Sequence, residues 1–168
     1  MSPESSSVCL RILALHLIGI IEMSTEFNSR VALVTGGSRG IGRATCIALA
    51  REGARVAINY VSDKVAALET LTLVRRVGGD GAIFQANVEQ EPAVREMIGA
   101  IASELGSIEF LVTNAGIAVQ EHHAELNLAG FRRMMTTNVE GTLIPIMAVK
   151  DSMIQRGSGG IVCVASVA

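Results

Sequence analysis

The sequence predicts an α/β protein, a doubly wound parallel sheet of about five strands with flanking helices, incomplete as it stands. Three observations carry this reading. Five short apolar runs alternate with longer amphipathic stretches. No two runs are joined by a hairpin signal, so each strand is reached by a crossover, which makes the sheet parallel and covers both of its faces. A glycine-rich turn stands between the first run and the first amphipathic stretch.

In order, residues 31–34 (VALV) end in that turn and read as a buried strand. A helix is expected over 41–51, closed by Gly53. Residues 55–60 (RVAINY) form the second strand. Over 64–77, Val65, Leu68, Leu71, Val74 and Val77 share one helical stripe, which Gly78 and Gly79 end. A third strand spans 82–86. Pro92 sits near the start of the next helix, where its missing N–H is harmless; Val94, Met97, Ile98, Ile101, Ala102 and Leu105 then recur at helical spacing. The fourth strand is 108–112. A long helical stretch is expected over 126–155. Pro145 favours a local break there, since it crowds the Gly141 carbonyl at a cost of about 3 kcal/mol in a straight helix. The fifth strand spans 160–165.

The 168 residues are 49% hydrophobic and 18% charged, which excludes disorder for most of the chain. A net charge of −2 leaves no basic footprint for nucleic acid, and with Tyr60, four Phe and no Trp there is no base-stacking platform. Cys9, Cys46 and Cys163 are odd in number and far apart, so neither a metal site nor a disulfide framework is expected; free thiols suit a reducing cytoplasm. Residues 8–21 form an apolar run interrupted by Arg11 and His16. As a helix it would reach about 21 Å, short of a hydrocarbon core of about 30 Å, so no membrane span is expected. Glu4 and the lack of a cleavage site argue against a signal peptide. Met23 is the expected natural start. Residues 1–27 are thus read as an extension, and 28–168 as one domain.

In such sheets ligands bind at the carboxyl ends of the strands. After the first strand comes Thr35-Gly36-Gly37-Ser38-Arg39-Gly40-Ile41-Gly42, opening a helix. Glycines let the backbone turn tightly and let a pyrophosphate approach a helix N-terminus, where free N–H groups and the dipole favour anions. Residues 36–40 also match the G-x-S-x-G of a hydrolase elbow with Ser38 as nucleophile, and Asp63 or Asp80 followed by His122 or His123 would give the chain order of a triad. That elbow normally follows several strands, so hydrolysis is the remote alternative. A P-loop is excluded because Arg43-Ala44 replaces the required Lys-Ser/Thr. His122 and His123 otherwise read as solvated loop residues.

Taken together, Thr35-Gly36-x-x-x-Gly40-Ile41-Gly42, Asn114-Ala115-Gly116 after the fourth strand, Asn138 in the long helix and Ser166 after the fifth resemble the short-chain dehydrogenase/reductase family. The likeness runs from about Arg30 to the last residue, and its overall run is similar to bacterial 3-oxoacyl-(acyl-carrier-protein) reductases. It implies a Rossmann-type domain, a nicotinamide cofactor and a small-molecule carbonyl or alcohol substrate, in a homodimer or homotetramer. It further implies that Asn114, Ala115 and Gly116 hold the sheet and line the cofactor ribose, that Asn87-Val88 lies near the adenine where Asp-Val is common, and that Asn138 anchors a proton-relay water. Ser166 would bond the substrate carbonyl. The resemblance also calls for a Tyr-x-x-x-Lys acid pair a dozen residues beyond Ser166. The single tyrosine, Tyr60, belongs to the second strand, so the chain reads as cut before its chemistry and inactive alone. A non-catalytic nucleotide-binding remnant is the alternative.

The cofactor follows from charge. An NAD site usually carries a carboxylate at the end of the second strand to bond the ribose 2′-OH. Here that end reads Asn59-Tyr60, and Arg39 in the turn suits a 2′-phosphate, so NADP(H) is favoured over NAD(H).

Overall fold

The computed structural model describes residues 27–118 and 127–165. Strands β1 (Val31–Val34), β2 (Arg55–Tyr60), β3 (Asp80–Gln85), β4 (Ile108–Thr113) and β5 (Gly160–Cys163) form one sheet in the order β3-β2-β1-β4-β5. Every pairing is parallel. The helices are α1 (Gly40–Arg51), α2 (Lys64–Arg76), α3 (Glu91–Glu104), α4 (Leu128–Met135) and α5 (Gly141–Arg156), with a π-helical turn, Thr136–Glu140, joining the last two.

The two-residue period of the strands sorts their side chains onto two cores. Val31 and Leu33 of β1 pack with Val94, Met97 and Ile101 of α3 and with Val149 and Met153 of α5. Their neighbours Ala32 and Val34 pack with Cys46 and Ala50 of α1 and with Leu71 and Val74 of α2. Both faces are therefore covered, which is why β1 is buried along its whole length and reads as an unbroken apolar run. The chain winds outward from β1 to β3, then crosses back to place β4 beside β1. The carboxyl ends of β1 and β4 thus flank the point where the winding reverses, the place such sheets reserve for ligands.

Several elements differ from expectation. On α2 the buried residues are Ala67, Thr70, Leu71 and Val74, while Val65 is 69% and Leu68 45% exposed. The helix is turned by its polar contacts: Asp63 Oδ1 accepts from Ala66 N at 2.9 Å, and Arg43 of α1 donates to Ala66 O and Thr70 Oγ1. On α3, Ala102 is exposed while the rest of its stripe is buried or half-buried. Strand β3 starts at Asp80, two residues early, because Gly81 lets it close on β2: a Cβ there would stand 2.3 Å from Val56 O. Strand β5 stops at Cys163. The stretch expected as a long helix is divided by the π-helical turn, one turn before Pro145, which itself lies inside α5. No helix among the described residues is long and apolar enough to cross a membrane. The apolar run 8–21 and the expected start at Met23 lie outside the described residues.

Candidate functional site

The glycine-rich turn follows β1 and leads into α1. Gly36 sits at φ +63° and Gly40 at φ +56°, the left-handed region that glycine adopts without penalty. Gly42 answers to space instead, since a Cβ there would lie 2.4 Å from Gly36 O and 2.6 Å from Asn114 Nδ2. The N-cap of α1, Arg39, makes no side-chain capping bond, and the first turn holds no acidic residue. The first N–H groups of α1 are thus left for an anion.

Side chains at the carboxyl ends of three strands and from two helices hold this turn. Thr35 is wholly buried; its Oγ1 accepts from the N–H of Asn114 (2.9 Å) and of Ala115 (3.1 Å). Asn114 Nδ2 donates back to Thr35 O and Gly36 O, bolting the end of β4 to the end of β1. From the other side Asn59 is also wholly buried. Its Oδ1 accepts from Gly36 N at 3.2 Å and its Nδ2 donates to Ala86 O at 3.0 Å. Asn59 therefore reaches the turn from beneath. Its side chain presents no surface to a ligand, a correction to its expected place among the cofactor contacts. Gly37 presses on Cys46 and Ile58, a Cβ there falling 3.0 Å from each. Burial pushes the Cys46 thiol up to about 12, so it stays protonated beneath the turn.

Sequence reasoning missed the outermost brace. Arg43 donates twice to Ser38 O (2.8 and 3.1 Å), and Thr70 Oγ1 donates to the same carbonyl at 3.0 Å. The available signal is an arginine in the first turn of α1, close in sequence to the carbonyls of the turn. Ser38 itself is buried. The two acids of the hydrolase reading are engaged elsewhere: Asp80 pairs with Arg55 at the far end of the sheet, and Asp63 caps α2 and lies 3.8 Å from Arg39. His122 and His123 lie outside the described residues, as does Ser166.

A cleft of about 710 Å³ opens over the turn. Gly36, Ser38 and Arg39 form its floor and rim; Tyr60, Ser62 and Asp63 form one wall; Asn87, Val88 and Glu89 form the other. Ala115, Gly116 and Ile117 continue it toward Arg133 of α4 and Thr137 of the π-helical turn, which close it. Asn138, within the π-helical turn, holds Ile117 from both sides: its Oδ1 accepts from Ile117 N (2.8 Å) and its Nδ2 donates to Ile117 O (2.9 Å). Gly116 leaves room for this amide, since a Cβ there would sit 3.2 Å from Asn138 Oδ1. Thr137 and Glu89 tie the π-helical turn to the far wall through a hydroxyl–carboxylate hydrogen bond. The described residues fit a dinucleotide: backbone N–H groups at an uncapped helix, a cradle a Cβ would fill, and a cationic rim.

Comparison with known proteins agrees with this geometry. The model of the family described as short chain dehydrogenase matches residues 30–168. The chain is 42% identical over 142 residues to the uncharacterized oxidoreductase YgfF of Escherichia coli, covering 82% of this chain and 58% of that protein. It is 35% identical over 139 residues to the 3-oxoacyl-[acyl-carrier-protein] reductase FabG of Staphylococcus epidermidis, covering 83% and 57%. The crystal structure of a short-chain type dehydrogenase/reductase from Mycobacterium marinum superposes with a TM-score of 0.79 at 33% identity, covering 84% of this chain and 57% of that one. The chain thus spans a little over half the length of the relatives it matches.

Proposed function

The chain belongs to the short chain dehydrogenase family, and on that premise we propose that residues 30–168 form the cofactor-binding part of an NADP-preferring oxidoreductase. Its reaction would exchange hydride between the nicotinamide and a carbonyl or alcohol. Similarity to a 3-oxoacyl-[acyl-carrier-protein] reductase makes a 3-oxoacyl thioester the substrate class to test first. The observation that carries the NADP preference is the end of β2. Where an NAD site places a carboxylate, Asn59 stands buried and bonded to Gly36, and Arg39 stands exposed on the rim. Its pairing with Asp63, at 3.8 Å between exposed groups, is too weak to hold it from a phosphate.

When bound, the nicotinamide supplies or accepts the hydride. The turn and the first N–H groups of α1 would hold the diphosphate, Asn114 to Gly116 would line the ribose, and Asn87 and Val88 the adenine. The Asn138 carbonyl, which accepts from Thr142 Oγ1 at 2.8 Å, is assigned the water of a proton relay, and Ser166 the substrate carbonyl. An exposed apolar stripe, Leu128, Phe131, Met135, Val139, Leu143 and Met147, supports assembly as a dimer or tetramer. Free thiols at Cys46 and Cys163 suit the cytoplasm.

Titration of the intact protein tests the assignment. Arg39→Ala should weaken NADPH by about 1.5–3 kcal/mol, on the order of ten- to 150-fold, and leave NADH nearly unchanged. Equal weakening of both would overturn it. A hydride-transfer assay with tritiated cofactor separates the oxidoreductase from a non-catalytic nucleotide binder.

A further inference from the structure

Asn87 lines the cleft with its amide held at both ends by one residue. Its Oδ1 accepts from Glu89 N at 3.1 Å, and its Nδ2 donates to Glu89 Oε2 at 3.3 Å. The other carboxylate oxygen, Glu89 Oε1, accepts from the Thr137 hydroxyl, and Thr137 is buried in the π-helical turn. Glu89 is thus clamped between two walls of the cleft, and Asn87 is clamped to Glu89. One amide N–H and one carbonyl lone pair of Asn87 remain uncommitted.

A free amide is its own isostere: by turning over it presents a donor where it had an acceptor. The clamp forbids this for Asn87. Turned over, its Nδ2 would face the Glu89 N–H and its Oδ1 would face the Glu89 carboxylate, so two hydrogen bonds would become two repulsions. The fixed amide offers an acceptor beside a donor. That order complements the N6 amine and N1 of adenine, and it mismatches a 6-oxo purine, whose O6 accepts and whose N1–H donates.

We infer that Glu89 is a specificity-determining positioning residue, which fixes Asn87 so that the site accepts a 6-amino purine and rejects a 6-oxo purine. This rests on the dinucleotide reading above. Nothing in the glycine-rich turn discriminates between bases, since its groups are backbone N–H donors aimed at phosphate. The base must be read at the Asn87 wall.

The test is calorimetric titration of the intact protein with NADPH and with its hypoxanthine analogue, and likewise with NADH and its analogue. The unaltered protein should bind the adenine form tighter by on the order of tenfold or more. Glu89→Met, which keeps the reach but removes the acceptor, should shrink that ratio to a few-fold, chiefly by improving the relative standing of the hypoxanthine form. Glu89→Gln should preserve the ratio, because its Oε1 still accepts from Asn87 and its amide still meets Thr137. A Glu89→Met protein that weakens both forms equally, or an unaltered protein indifferent to the base, would overturn the inference. Base discrimination with equal NADPH and NADH affinity would remove the NADP preference and support this inference. Failure to bind any of the four would overturn both.

Discussion

Helix propensity and packing make opposite predictions at Gly42. It is the third residue of α1, and alanine in place of a helical glycine ordinarily gains up to about 1 kcal/mol. Here the added Cβ would stand 2.4 Å from Gly36 O and 2.6 Å from Asn114 Nδ2. Neither atom can yield cheaply, because they are bonded to each other at 3.2 Å and Asn114 is also bonded to Thr35 O. Overpacking costs about 1–3 kcal/mol, and displacing the Asn114 amide forfeits two hydrogen bonds of about 0.5–1.5 kcal/mol each. Packing wins, with a net loss of about 1–5 kcal/mol. Gly99 provides the control: it lies inside α3 with nothing within 4 Å of a Cβ, so Gly99→Ala should gain about 0.8–1.0 kcal/mol. Urea unfolding followed by circular dichroism reads both, and NADPH titration of Gly42→Ala should show at least about tenfold weaker binding. If Gly42→Ala matched Gly99→Ala in stability and the unaltered protein in affinity, the cradle argument would be wrong.

Other outcomes follow from single groups. The Thr113 hydroxyl is buried with no hydrogen-bond partner among the described residues, so Thr113→Val should raise stability by about 1 kcal/mol; a loss would show the hydroxyl to be satisfied. The Cys46 thiol is raised from 9.0 to about 12 in the folded chain, so the folded state holds a proton that the unfolded chain releases. Stability is then level below pH 9 and falls as pH rises from there toward 12, and the fall should be shallower in Cys46→Ala, measured by urea midpoints between pH 8 and about 11. Dithionitrobenzoate should label exposed Cys163 at once and reach Cys46 only on unfolding; prompt labelling of both would contradict its burial under Gly37.

The strands were legible because burial on two faces leaves its mark on consecutive residues: all four residues of β1 are apolar and all four are buried. The face of α2 was not. Val65 and Leu68 are as apolar as Leu71 and Val74, and hydropathy alone does not say which of two overlapping stripes turns inward. The choice is made by Arg43, which reaches Ala66 and Thr70 from 23 and 27 residues away. The π-helical turn escaped for the same reason. Pro145 marks a weak point nearby, but the anchor is the Asn138 amide on Ile117, 21 residues earlier.

The site shows a sharper division. Its glycines are legible because what they must permit, a positive φ or an absent Cβ, belongs to the residue itself. Its polar residues are not, because an anion site built from backbone N–H groups needs side chains chiefly to hold that backbone still. Thr35, Asn59, Thr70, Asn114 and Arg43 all bond to the main chain of residues 35–38 or of Asn114 and Ala115 facing it. Asn59 shows the consequence: a polar residue at a strand end suggests a ligand contact, yet its amide is spent on Gly36 and Ala86. These braces come from α1, α2, β2 and the residues just past β1 and β4, up to 80 residues apart, so the turn has its binding geometry only when β1, β2 and β4 are assembled with both helices on them. A phosphate bound at this turn would therefore stabilise the assembly of β1, β2 and β4 with both helices, since it would bind no state in which that assembly is open.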